Sequence, residues 1–262
     1  MKKETEEKLA GSLTAETTEL LPFLPYLLQD FWELGSAPWT MVQLIKKHVK
    51  LSEHTRVLDL ACGKGPVSVK IAQNLQVKVK GIDLIPEFIE VAVQKAKEFN
   101  VSELCEFAFG DINEAVKTEK DYDIVILGGV GDVLGAPGET LSKLKETIKP
   151  GGYIMIDECY LPDDGDQKDI RYDNYEYLTG KQWNALFKEA GLELVEALSD
   201  FDESENLDSD SGMAAITARA NELIEKHPDK KEIFEGYIRS QQNEYDDIDS
   251  RLVPVVWVLK KL

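Results

Sequence analysis

The sequence predicts an α/β fold with a doubly wound, mostly parallel sheet. Short apolar runs alternate with stretches of helical periodicity from residue 56 to about residue 197. The early runs end in turns of small or acidic residues, as in Ala61-Cys62-Gly63-Lys64-Gly65-Pro66. The chain has 262 residues, 43% of them hydrophobic, which is enough for one substantial core.

The elements follow in order. Residues 1 to about 19 form a polar lead-in, frayed or helical. Residues 20–50 read as short helices broken by Pro22, Pro25 and Pro38, with Phe23, Tyr26, Phe31, Trp32 and Trp39 among them. The first strand is 56–60, and its helix starts at Pro66, a residue suited to the first helical position. A strand at 77–82 leads to a helix from Pro86 to about residue 99. Strands follow at 106–109 and 124–127, then a helix near 139–148. Lys149-Pro150-Gly151-Gly152 reads as a turn ahead of a strand at 153–157. A helix at 180–190, stopped by Gly191, and a strand at 192–197 complete the alternation.

The pattern then changes. Residues 200–212, DFDESENLDSDSG, read as an exposed, mobile acidic connection. Two helices follow, about 213–226 and 228–245, and then a final strand at 253–259, in which Pro254 is confined to the edge of the run. The expected organisation is an N-terminal helical cap (1–50), an α/β core (51–198), a helical insertion (199–250) and a last core strand (251–262).

Composition narrows the function. Acidic residues number 49 against 30 Lys and Arg, a formal charge of -19, so the chain repels polyanions. That disfavours nucleic acid and anionic membranes, and favours a small molecule or another protein as the partner. The longest apolar patch, LLPFLPYLL, is too short to span a membrane and carries two prolines. The charged start, MKKETEEKLAGSL, lacks the apolar stretch of a signal peptide. Cys62, Cys105 and Cys159 are odd in number and far apart, which argues against disulfides and zinc and sets the expectation of a cytoplasmic protein.

Three ligand classes compete for the glycine turn. A triphosphate loop needs GxxxxGK[ST], which is missing here. A dinucleotide turn needs GxGxxG, and Ser68 stands in place of the third glycine. S-adenosylmethionine has no phosphate but carries an ammonium. Asp59, ahead of the turn, would repel a pyrophosphate and attract that ammonium. Asp83, after the second strand, is placed to accept ribose hydroxyls, a role that NAD would also satisfy. Asp111 suits an adenine amino group, with Ile112 over the ring. Gly128-Gly129-Val130-Gly131 leaves an open floor after the fourth strand.

The ordered set VLDLACGKG, GID, GDI, DYDIVILGG and IKPGGYIMIDE resembles the class I S-adenosylmethionine-dependent methyltransferase family over residues 56 to about 160. The resemblance implies a Rossmann-like seven-stranded sheet. It also implies Asp59, Ala61, Gly63 and Gly65 at the methionine part of the cofactor, Asp83 and Leu84 at the ribose, Asp111 and Ile112 at the adenine, and Gly128 and Gly129 beside the methyl donor. Ala61 departs from the glycine most frequent there, and the turn is expected to survive the change.

Candidates for a base are Asp132, Asp157, Glu158 and Tyr160, at the ends of the fourth and fifth strands. Nucleobase amino methylation is disfavoured, because no Asn/Asp-Pro-Pro-Tyr/Phe motif follows the fourth strand. Cytosine C5 chemistry lacks its Pro-Cys. Magnesium assistance lacks the first acid, since Gly128 stands where it is expected. Cys62 reads as a small turn residue, Lys64 as solvated and incidental, and His48 and His54 as remote from the strand ends. His227 sits at a helix junction. Trp32 and Trp39 read equally as core or as a lid. The late helices, with Ile216, Leu223 and Ile224 at helical spacing, show ordinary core patterning, with a roof over the substrate or a homodimer surface as further readings. The expected function is metal-independent, in-line methyl transfer from S-adenosylmethionine to a small-molecule acceptor, with S-adenosylhomocysteine as product. The alternatives are an NAD-dependent oxidoreductase and a non-catalytic S-adenosylmethionine-binding protein.

Overall fold

Two alternating apolar patterns build the central sheet. In β1 (Arg56–Leu60), Val57 points to one face and Leu58 and Leu60 to the other, and both sets are fully buried. The same alternation recurs in β4 (Tyr122–Gly128), where Ile124 and Ile126 oppose Val125 and Leu127. The computed structural model describes residues 3–172, 175–199 and 209–262.

Five more strands complete the sheet: β2 (Lys78–Asp83), β3 (Cys105–Phe109), β5 (Ile148–Tyr160), β6 (Leu192–Leu198) and β7 (Val253–Lys261). Their order is β3-β2-β1-β4-β5-β7-β6, and β7 runs antiparallel to both neighbours. The winding reverses between β1 and β4, so the crevice beyond their carboxyl ends is where a ligand belongs.

Helices cover both faces. On one face lie α3 (Pro38–His48), α4 (Pro66–Leu75) and α5 (Pro86–Glu98), packing Met41, Ile45, Val69 and Ala96 against the sheet. On the other lie α6 (Ile112–Thr118), α7 (Pro137–Thr147) and α8 (Gly180–Glu189), which contribute Val116, Leu141, Leu144, Trp183 and Phe187. Four of these six helices begin with proline at or next to the first position, where its missing N–H leaves no orphan.

A third layer joins the two ends of the chain. It consists of α1 (Lys3–Ser12), a 3-10 turn (Thr18–Phe23), α2 (Leu24–Leu27), α9 (Ser209–Lys226) and α10 (Lys231–Ser250). Leu20, Leu24 and Leu27 pack against Ile216, Leu223, Phe234 and Tyr237. The predicted N-terminal cap therefore divides: α3 belongs to the sheet, while residues before it join the late helices in one cap.

Several local readings are refined. Lys149 to Gly152 is not a separate turn but an irregular stretch of β5, which pairs Tyr122 with Ile148 and then Ile124 with Tyr153. The short helix α6, with Asp111 as its N-cap, is not among the elements the sequence predicts. Of the acidic connection, residues 200–208 lie outside the described residues, and residues 209–212 form the first turn of α9. No described helix is long and apolar enough to cross a membrane.

Candidate functional site

The glycine turn bends sharply through the left-handed region. Ala61, Gly63 and Gly65 have φ of 56°, 52° and 76°. For Ala61 this conformation costs about 1–2 kcal/mol relative to the right-handed region. At Gly65 a Cβ would stand 2.8 Å from the Ala92 Cβ and 3.0 Å from the Phe107 ring. Gly65 is thus required by the packing of α4 against α5 and β3. Gly63 is different: only Leu34 approaches its Cβ position, at 3.4 Å.

Asp83 locks the turn to the end of β2. Its two carboxylate oxygens accept from the Gly63 amide (2.8 Å) and the Ile85 amide (2.9 Å). Burial pushes its carboxyl above the usual range, and these amides oppose that shift. Leu84 beside it is half-buried. Asp59 lies deeper, 3% exposed, and accepts from the Ser68 hydroxyl at 2.6 Å. Burial pushes its pKa up to about 7, with the Asp83 charge adding to the shift. The serine that replaces the third glycine is therefore the partner of the acid ahead of the turn.

Lys64 corrects the sequence reading. It is not solvated but 3% exposed, and its ammonium donates to the backbone carbonyls of Leu28 and Phe31. Burial lowers its pKa to about 8, with Asp30 opposing. Nearby, the Trp32 indole N–H donates to the Lys64 carbonyl at 3.0 Å, and its ring stacks on Phe99 at 5.1 Å. Together they fasten the segment 28–37 to the glycine turn. Trp32 is a fastening, whereas Trp39 is 41% exposed.

The same segment reaches β4. The nearest atoms to a Cβ on Gly129 (φ 63°) belong to Leu34 and Gly35, at 3.5–3.6 Å. A Cβ on Gly128 would meet Met41 at 3.2 Å and Ser36 at 3.5 Å. Asp157, at the end of the paired stretch of β5, accepts from the Ala37 amide at 2.7 Å. Residues 34–37 thus run from the glycine turn to the ends of β4 and β5.

Beyond this segment lies a cavity of about 900 Å³. The cap roofs it, and Gly129, Asp157 and Glu158 form its floor. Burial raises the pKa of Glu158 to about 7, although its carboxylate accepts from the Cys159 amide at 2.9 Å.

Comparison with known proteins identifies the domain. A family model described as a methyltransferase domain matches residues 51–191. The chain belongs to this methyltransferase domain family. It is 30% identical over 124 residues to malonyl-[acyl-carrier protein] O-methyltransferase of Halalkalibacterium halodurans, covering 44% of each chain. It is 33% identical over 124 residues to ribosomal protein L11 methyltransferase of Dictyoglomus thermophilum, covering 46% of this chain and 38% of that one. The matches thus span less than half the length of these curated relatives. Among solved structures, the S-adenosylmethionine-dependent methyltransferase of Geobacter sulfurreducens, in complex with S-adenosyl-L-homocysteine, shares the fold with a TM-score of 0.73 at 22% identity. That alignment covers 92% of this chain and 98% of the other.

Within the methyltransferase domain, the structure brings Asp59, Ala61, Gly63, Gly65 and Asp83 into one turn and sets Gly128 and Gly129 beside it. Asp111 caps α6, accepting from the Asn113 amide at 2.8 Å, and Ile112 is buried in the sheet core. Of the candidate bases, Asp157 and Glu158 line the cavity. Asp132 is exposed, and Tyr160 packs against Trp257 with ring centroids 6.0 Å apart; neither lines the cavity. Cys62 is buried and its thiol is pushed well up by burial, which suits an inert turn residue. His48 pairs with Glu196, at the far end of the sheet. The sequence reading missed Tyr177, Tyr237 and Glu244, which also line the cavity. Tyr237 and Glu244 lie on a helix whose spacing signals only core packing.

Proposed function

We propose that this methyltransferase domain binds S-adenosylmethionine at the glycine turn and carries its methyl group in line to a small-molecule acceptor held in the cavity. The observation that supports it most is the position of that cavity, whose floor is Gly129 and the end of β5 and whose lining residue Leu34 lies 3.4 Å from the Cβ position of Gly63. Its volume of about 900 Å³ suits a small organic molecule. The two curated relatives carry names with different acceptors, so the shared domain leaves the acceptor to the cap.

The residues present fit the cofactor. The approach to Gly63 is open but for Leu34, which gives a floor for close contact. The Asp83 oxygens accept the Gly63 and Ile85 amides, with the Leu84 amide also contributing, and the carboxylate's four lone-pair sites leave room for a ribose hydroxyl. Asp59, Ala61 and Gly65 shape the methionine end, and Asp111 and Ile112 border the adenine. When bound, the cofactor supplies a methyl group already activated on a sulfonium. The chain's own task is to orient the acceptor, exclude water and, for an acidic acceptor, take a proton. Glu158, with its pKa raised to about 7, is suited to that exchange. Family membership weighs against the NAD-dependent oxidoreductase. Free cysteines at 62, 105 and 159 support a cytoplasmic setting.

Calorimetry tests this. S-adenosylhomocysteine should bind and NAD should not. Asp83→Ala should weaken S-adenosylhomocysteine at least about tenfold, the loss of roughly one to two hydrogen bonds. An unchanged dissociation constant removes the ribose role of Asp83, and binding of NAD alone overturns the proposal. Binding without methyl transfer to any of a broad acceptor panel would favour a non-catalytic S-adenosylmethionine-binding protein.

A further inference from the structure

The cavity is lined by acids on several of its sides: Asp30, Glu33, Asp157, Glu158, Glu244 and Asp249. Among the described lining residues there is no Lys, Arg or His. Some of these acids have partners in the fold. Asp30 pairs with Arg219, and Asp157 accepts the Ala37 amide. Glu158 and Glu244 are held differently. Glu158 accepts from the Cys159 amide and, at 3.4 Å, from the Tyr175 hydroxyl; Glu244 accepts from the Thr14 hydroxyl at 2.5 Å. Neither has an ion pair among the described residues. Each is driven toward its neutral form by burial, and the charge of Glu244 raises Glu158 further.

A separate observation points to a missing partner. Tyr237 of α10 is 0% exposed and lines the same cavity, yet its hydroxyl has no hydrogen-bond partner. Native proteins seldom leave a buried hydroxyl unpaired, and beside a cavity a bound molecule can complete the bonding. The rest of the lining mixes polar Ser12, Thr14, Ser36 and Gln241 with apolar and aromatic side chains, among them Phe31 and Trp32.

We infer that the cavity takes an organic ammonium, a primary or secondary amine on an apolar body, with its nitrogen set among Tyr237, Glu158 and Glu244. The inference rests on the reading of this cavity as the acceptor site. An ammonium N–H donates to the orphan phenol oxygen and to carboxylates, and aromatic rings in a lining suit a cation. A carboxylate or phosphate ligand would meet an acidic lining whose neighbouring cations, Arg219 and Lys64, are already held by Asp30 and by the Leu28 and Phe31 carbonyls. A metal ion is disfavoured, because no group of three or more His, Cys, Asp or Glu among the described residues is arranged to hold one. For transfer, the bound ammonium gives one proton to Glu158. The freed nitrogen lone pair then forms the N–C bond as the methyl S–C bond breaks, and that electron pair stays on sulfur. The products are the methylated ammonium and S-adenosylhomocysteine.

The test is calorimetry on the full chain with a matched panel. The panel comprises 2-phenylethylamine, tryptamine and cyclohexylmethylamine, each with its alcohol and carboxylate counterpart, and S-adenosylhomocysteine is titrated in the same series. At least one amine should bind ten times or more tighter than its alcohol, and the carboxylates should not bind. Tyr237→Phe and Glu244→Gln, each checked for folding by thermal denaturation, should each reduce that preference at least threefold. An alcohol or carboxylate that matches its amine, no amine binding at all, or a preference untouched in both variants would overturn the inference. If S-adenosylhomocysteine binds while the amines fail, only this inference falls. If the amines bind and S-adenosylhomocysteine does not, the methyltransferase reading falls instead.

Discussion

The glycine-turn side of the site draws on residues 59–85, which are neighbours in sequence. The cavity side draws on residues within 12–14, 28–37, 157–159 and 237–254, together with Gly129, Tyr177 and Ile216, gathered from along the whole chain. The first side is tightly packed, with Cβ positions at Gly65 and Gly81 only 2.8 Å from neighbouring side chains. The second keeps about 900 Å³ open and leaves a buried tyrosine hydroxyl without a partner. The contrast teaches a division of labour. A turn can be encoded in a short, closely packed stretch, while the cavity, the proposed acceptor site, is assembled by the cap.

The largest expected effect concerns the buried acid of the packed side. Burial raises the folded pKa of Asp59 to about 7 from the ordinary 3.8, so the folded chain holds the proton more tightly than the unfolded one. The stability tied to protonated Asp59 is complete below about pH 4 and is lost as pH rises toward 7. Asp59→Asn, which mimics the neutral acid, should match the native chain near pH 4. By pH 8 it should exceed the native chain by roughly 4 kcal/mol. Denaturant unfolding of both proteins across this range is the check, and a constant difference between them would break the picture of a rigid, desolvated turn.

Gly65→Ala comes next. It combines a left-handed φ with two close contacts, so it should destabilise by about 3 kcal/mol. Thermal unfolding reads this directly, and a loss below 1 kcal/mol would mean that α4 and α5 shift apart freely.

The smallest effect belongs to the open side. Tyr237→Phe removes a hydroxyl that has no bond to lose, so stability should stay within about 1 kcal/mol of the native value or rise. A loss of 2 kcal/mol or more would show that the cavity is bonded as tightly as the turn.

Much of the fold was legible because its signals are local. Pro66 and Pro86 marked helix starts, and the runs at β1 and β4 marked buried strands. The seven strands follow from such cues, and so does the glycine turn with Asp83 after it. Other features were legible only in part. The sequence suggests Asp111 as a ligand acid, and the structure shows it as the N-cap of α6. Lys64 was read as solvated because nothing in its neighbourhood predicts burial; its partners, the Leu28 and Phe31 carbonyls, lie more than thirty residues away.

By itself, then, the sequence determined the family's sheet, the turn geometry and the acids beside it. Alternation, φ restrictions and caps act over a few residues, and a reader can see them one window at a time. Only the tertiary structure decided that Ser68 partners Asp59, that Lys64 and Trp32 fasten the segment 28–37, and that Tyr237, Glu158 and Glu244 share one cavity. Those relations depend on which distant surfaces are buried together, and burial is a property of the whole packed chain.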